Sequence, residues 1–97
     1  MKRDKNDMTL GEAIEYYLRS TKMYSRYQEQ EVISNWNSVM GEAIARHTKD
    51  IQVRNSVLYV KLDSAVLRKE LEMGREKVVR NLNSSVGFQV INTIKFI

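Results

Sequence analysis

The sequence predicts an α+β fold of two layers, a three-stranded mixed sheet with helices on one face, in the order α-α-β-β-α-β. Three observations carry that expectation. Residues 50–62 alternate apolar and polar around a short turn. The segments before and after that stretch place apolar residues at helical spacing. The last nine residues alternate again, and a strand that follows a long helix returns parallel to its neighbour through a right-handed crossover.

The stretch from Asp50 to Leu62 reads as a β-hairpin with Asn55-Ser56 as its two-residue turn. That turn sets Arg54 opposite Val57, Val53 opposite Leu58, Gln52 opposite Tyr59 and Ile51 opposite Val60. Side chains alternate across a strand, so Ile51, Val53, Leu58, Val60 and Leu62 share one face. Gln52, Arg54, Tyr59 and Lys61 share the other. The turn and the hydrophobic pattern give the same register independently.

Residues 1–8 are polar and charged and are expected to form a flexible N-terminal segment, leaving 9–97 as a single domain. Thr9 offers an N-cap, with Glu12 three residues later in capping-box position. Leu10, Ala13, Ile14, Tyr17 and Leu18 then give an amphipathic helix to about Lys22. Met23 to Tyr27 reads as a connection. A second helix is expected from Gln28 to Met40, with Val32, Ile33, Trp36, Val39 and Met40 on its inner stripe and Gly41 ending it in a left-handed cap. Glu42 to Thr48 suits one further helical turn with Ile44 inward. After the hairpin, Asp63-Ser64 caps a third helix from Ala65 to about Ser84, buried along Leu67, Leu71, Gly74, Val78 and Leu82. Gly74 either lets another element approach closely or breaks this helix in two. Val86-Gly87 ends it. Gln89 to Ile97 is the last strand, with Val90, Ile94 and Phe96 inward and Ile91, Thr93 and Lys95 outward.

Composition narrows the function classes. With 97 residues the chain is too short for a catalytic cleft between domains, and 42% hydrophobic with 29% charged residues suits a globular protein. The absence of cysteine excludes disulfides and thiolate metal sites, and suits a reducing cytoplasm. No apolar run approaches the roughly 20 residues of a membrane-spanning helix, and residues 1–8 lack the apolar core of a secretory signal. The net charge of +4 is compatible with an acidic partner without demanding one. There is no glycine-rich phosphate loop, no nucleophile with a nearby base and no ligand cluster, so neither an enzyme nor a cofactor or metal is expected.

The block Trp36-Asn-Ser-Val39-Met40-Gly41-Glu-Ala-Ile44-Ala45-Arg-His47-Thr48 resembles the W-x-x-V-x-G-x-x-I-A-x-H-T pattern of the DciA family of bacterial replicative-helicase loaders. Leu58-Tyr-Val60 resembles its L-x-V strand, and Ser64-Ala65 with Glu70-Leu71 its next helix start. Leu82-Asn83, Gly87, Val90-Ile91 and Ile94-Lys-Phe96 resemble its closing segment. The ordered set spans about Glu31 to Phe96. The resemblance implies a KH-like domain, association with the replicative DNA helicase and some binding of single-stranded DNA, without ATP hydrolysis by the chain itself; composition adds the expectation of a cytoplasmic protein with no membrane or small-molecule partner. One departure stands out. A nucleic-acid-binding KH domain clamps the backbone with a Gly-x-x-Gly loop, whereas here Gly74 is followed by Arg75-Glu76-Lys77.

Two surfaces are candidates for binding. On the open sheet face, Arg54, Tyr59, Lys61 and Lys95 combine three cations with one ring, suited to phosphates and a stacked base; the alternative is an ordinary solvated sheet face. Arg75 is a further phosphate candidate. It is the least obviously paired cation on a helix face where Glu72 and Glu76 sit at pairing distance from Arg68, Lys69 and Arg80. The second surface comprises Tyr16, Arg19, Tyr24, Arg26 and Tyr27, residue types enriched at interfaces, as a partner-docking patch set against plain packing. His47 has no second histidine or cysteine, so it is expected to close a turn near Trp36 or bond backbone, with Thr48 in a similar capping role. Trp36 is expected in the core. Two functions follow: a factor that docks on the helicase and helps load it, or a general binder of single-stranded DNA or RNA with no fixed helicase partner.

Overall fold

The computed structural model describes residues 8–19 and 22–97, with the side chains of residues 18–24 outside that description. In chain order the elements are α1 (Leu10–Arg19), α2 (Lys22–Met40), α3 (Glu42–Arg46), β1 (Thr48–Arg54), β2 (Val57–Leu62), α4 (Ala65–Met73), α5 (Arg75–Val86) and β3 (Thr93–Phe96). The sheet runs β1-β2-β3, antiparallel across the first pair and parallel across the second. The expected α+β architecture with a mixed sheet is therefore present.

The hairpin register is the one that the turn and the hydrophobic pattern imply, from Arg54 opposite Val57 to Ile51 opposite Val60. Asn55 (φ 52°) and Ser56 (φ 62°) both take the left-handed backbone that a two-residue hairpin turn of this hand requires. A register shift between Thr48 and Asp50 adds a bulge at the far end. The inner face of the sheet supplies Leu58, Val60, Leu62, Ile94 and Phe96 to the core, and the helices supply Val32, Trp36, Val78 and Leu82. Ile91 completes it.

Three local expectations need correction, and one left open is decided. The helix expected from Gln28 starts at Lys22, so Met23 to Tyr27 is helical rather than a connection. The segment contains no glycine or proline, and Lys, Met, Arg and Gln are good helix formers. The long helix expected over 65–84 breaks at Gly74 into α4 and α5, the second of the two outcomes open to it. No neighbouring atom lies within 4 Å of where a Gly74 side chain would begin, so this glycine serves the break and not a close approach. Gly41 does end α2, but with φ 92° and ψ 164°, a region open almost only to glycine and distinct from the left-handed cap expected.

The last strand covers only Thr93–Phe96, and Ile91 is fully buried instead of outward. The reason is Asn83. Its Oδ1 accepts from the backbone N–H of Val90 (2.9 Å) and Ile91 (3.1 Å), while its Nδ2 donates to the Ile91 carbonyl (2.9 Å). A side chain thus takes backbone groups that a strand would offer to a ladder. The alternation of faces restarts after Asn92, whose N–H donates to the Ser56 carbonyl at 2.7 Å.

Helix α1 forms as expected, with Thr9 Oγ1 accepting from the Glu12 N–H at 3.1 Å. Its apolar stripe does not join the core. Leu10, Ala13, Ile14 and Tyr17 are all exposed, and Leu18 lies outside the described side chains. The chain is correspondingly elongated, 55 × 24 × 21 Å with a radius of gyration of 16.5 Å, against about 13 Å for a compact chain of 100 residues.

Candidate nucleic-acid interface

On the outer sheet face the pairing puts Gln52, Tyr59 and Lys95 in one row across the three strands. Arg54 belongs to the neighbouring row, opposite Val57. From the two edge strands, Arg54 and Lys95 both reach the tyrosine on the central one. The Arg54 guanidinium carbon lies 5.6 Å from the Tyr59 ring centroid and the Lys95 Nζ 6.0 Å. Both distances fall within cation–π range. Arg54, Lys61 and Lys95 are exposed and Tyr59 is half-buried. Among the described residues none of the three cations makes an ion pair within 4 Å.

One charged residue of this face escaped the sequence reading. Asp50 shares strand parity with Gln52 and Arg54, stands opposite Lys61, and accepts a hydrogen bond from Gln52 Nε2 at 3.1 Å. The parity rule alone would have found it. The face therefore carries three cations against one carboxylate.

Arg75 is not brought to this surface. It opens α5 in the helical layer. The ion pairs expected there also fail to close: among the described residues, Glu72 and Glu76 form none within 4 Å, and Arg68 Nη1 donates instead to the Leu62 carbonyl at 3.3 Å. In the expected docking patch Tyr16, Arg26 and Tyr27 are exposed. Arg19 and Tyr24 lie outside the described side chains. Arg26 lines a cleft between the start of α2, the hairpin turn and Gln89-Val90.

The Trp36–Thr48 block works on the inside. Trp36 is buried, and its Nε1 donates to Thr48 Oγ1 at 3.0 Å; that hydroxyl donates on to the Ile44 carbonyl at 2.9 Å. Thr48 thus ties α2, α3 and β1 together. The His47 N–H closes α3 on the Ile44 carbonyl (3.1 Å), and its own carbonyl accepts from the Asp63 N–H (3.0 Å). His47 Nδ1 sits 2.6 Å from Asp63 Oδ1, with Lys49 Nζ 3.2 Å from Oδ2. Hydrogen bonds from His47 and then Lys49 hold the Asp63 carboxyl below its usual value of 3.8. These residues join the start of β1 to the end of β2; His47 closes the α3 turn through its main chain, while its ring meets the Asp63 carboxylate and not the backbone expected of it. Among the described residues, no three His, Cys, Asp or Glu side chains gather as a metal site. No helix among them is long and apolar enough to cross a membrane.

Comparison with known proteins agrees with what these positions suggest. A family model described as "Dna[CI] antecedent, DciA" matches residues 9–96. The chain is 27% identical over 88 residues to a Mycolicibacterium smegmatis protein described as "UPF0232 protein in recF-gyrB intergenic region", covering 91% of this chain and 45% of that protein. A UPF0232 protein of Mycolicibacterium paratuberculosis is 27% identical over 86 residues, 89% of this chain and 48% of its own length. The chain therefore spans about half the length of these relatives. With the family model covering nearly all of it, the chain belongs to the DciA family, a family associated with replicative-helicase loading.

Proposed function

We propose that this chain is a non-enzymatic, cytoplasmic DNA-replication factor that docks on the replicative helicase and assists its loading onto single-stranded DNA. The family match over residues 9–96 carries the proposal. The open sheet face supports its DNA side, because Tyr59 offers a stacking ring and Arg54, Lys61 and Lys95 offer charge to phosphates. Residues 9–97 act as one KH-like unit in this reading. The backbone clamp that such domains take from a Gly-x-x-Gly loop is replaced by the sheet-face cations, since Gly74 leads into Arg75-Glu76-Lys77. Tyr16, Arg26 and Tyr27, exposed toward the start of the chain, are the candidates for helicase contact, together with Arg19 and Tyr24.

Co-sedimentation of the chain with the replicative helicase of the same cell, with and without single-stranded DNA, tests the proposal. A complex in either condition is expected. The cations over Tyr59 also support a second reading, a general single-strand binder for DNA or RNA. Salt-sensitive strand binding with no helicase complex under any condition would replace the first reading with the second.

A further inference from the structure

The outer sheet face has a polarity that its list of cations does not convey. Its outward residues form successive rows along the central strand: Arg54 with Val57 and Thr93, then Gln52 with Tyr59 and Lys95, then Asp50 with Lys61. Rows of outward residues are two positions apart, roughly 7 Å along the strand. Charge is distributed unevenly over these rows. The first two hold Arg54, Lys95 and the tyrosine, with no carboxylate. The third holds a cation and a carboxylate directly opposite each other.

The geometry points to a path for single-stranded nucleic acid that runs across the three strands, from Arg54 on β1 over Tyr59 to Lys95 on β3, and turns away from the Asp50 row. This inference rests on the reading of the open face as a single-strand site, and adds the direction, the footprint and a residue that opposes binding. The footprint is one nucleoside with the phosphates on its two sides: the base stacks on Tyr59, and the flanking phosphates meet Arg54 and Lys95. Both cations already lie over the ring, at 5.6 and 6.0 Å from its centroid. An incoming base displaces one of them from the ring toward the adjacent phosphate. Lysine is the one that yields, as a flexible point charge, while the planar guanidinium can remain stacked. A strand running along β2 would instead pass beside Asp50, whose carboxylate repels phosphate. Lys61, with Asp50 opposite, contributes less than its charge suggests.

Binding of oligothymidylate by fluorescence anisotropy over a salt series tests the path, with the variants Arg54→Ala, Lys95→Ala, Lys61→Ala and Asp50→Asn. All four positions are exposed, and circular dichroism checks that each variant folds. Each phosphate contact on a single strand contributes about 0.7 to the slope of log affinity against log salt. Arg54→Ala and Lys95→Ala should each lower the slope by about 0.7, with Lys61→Ala lowering it by less than half of that. Asp50→Asn should raise affinity roughly twofold at low salt. A Lys61→Ala loss equal to that of Lys95→Ala, with Asp50→Asn neutral, would overturn the path while leaving the site in place. Wild-type binding that none of the four variants alters would place the strand elsewhere and remove the open-face reading together with the path.

Discussion

Replacing Thr48 with valine tests the claim that the Trp36–Thr48 block is structural. Valine keeps the shape and β-branching of threonine, so strand geometry and packing are retained and only the hydroxyl is lost. Two hydrogen bonds go with it, from Trp36 Nε1 (3.0 Å) and to the Ile44 carbonyl (2.9 Å). Their consequences differ. The Ile44 carbonyl keeps the His47 N–H at 3.1 Å, whereas Trp36 is 1% exposed and its indole N–H is left without an acceptor. An orphaned buried donor costs about 1–3 kcal/mol, so a loss of about 2 kcal/mol is expected. In a domain of this size that lowers Tm by roughly 8–16 °C. Urea unfolding followed by circular dichroism reads the change in every variant, including those without the chain's single tryptophan, and Trp36→Phe with Thr48→Val completes a double-mutant cycle. A loss under about 0.5 kcal/mol, or additive single effects, would refute the argument that Thr48 is the hub of this junction.

Other expectations follow from the same geometry. Gly74→Ala should stabilise by about 0.4–1 kcal/mol in a chemical melt, because φ −106°, ψ 21° with open space around it suits alanine and the unfolded chain loses freedom. Gly41→Ala, at φ 92°, should instead destabilise by about 1–3 kcal/mol. Asn83→Ala removes three hydrogen bonds to Val90 and Ile91 and should cost about 2–4 kcal/mol, with Asn83→Asp losing less because the two N–H groups keep their acceptor. The depressed Asp63 carboxyl stabilises the fold above its ordinary value of 3.8, and that contribution is lost as pH falls through the lower folded value. The Tm gap between wild type and Asp63→Asn should therefore hold from neutral pH to about pH 4 and close below it.

The parts of the fold readable in the sequence were those where two local constraints agreed. In the hairpin, turn length and side-chain alternation had to give one register, and they did. The end of the chain shows the opposite case. Val90 and Ile91 sit in an alternating pattern, but Asn83 captures their backbone, and no periodicity records that a side chain seven or eight positions earlier competes with the ladder. Helix α1 exposes another limit. Its spacing identified the apolar face correctly, but periodicity says which side is greasy and not what covers it, and here Leu10 and Ile14 remain exposed. On the candidate site, parity placed Arg54, Tyr59, Lys61 and Lys95 on one surface. It did not show that Arg54 and Lys95 converge on the ring, which depends on β3 pairing with β2 in one particular parallel register.

That register also separates the residues that resemble the family pattern from those of the proposed binding face. The pattern that ties this chain to its family names Leu58 and Val60 and leaves the position between them free; it names Ile94 and Phe96 and leaves that middle position free too. The named positions are buried, all four facing the helices. The free ones are Tyr59 and Lys95, outward and directly opposite each other in the sheet. A strand alternates, so a pattern written for the core skips the surface at every second residue. The family assignment therefore supports the fold, while in the proposed function the strength and selectivity of strand binding depend on the skipped positions. A relative with the same core pattern but neither a ring nor a cation at those two places should fold alike and bind single strands more weakly. Exchanging only these two outward residues between the proteins should carry that difference in affinity with it.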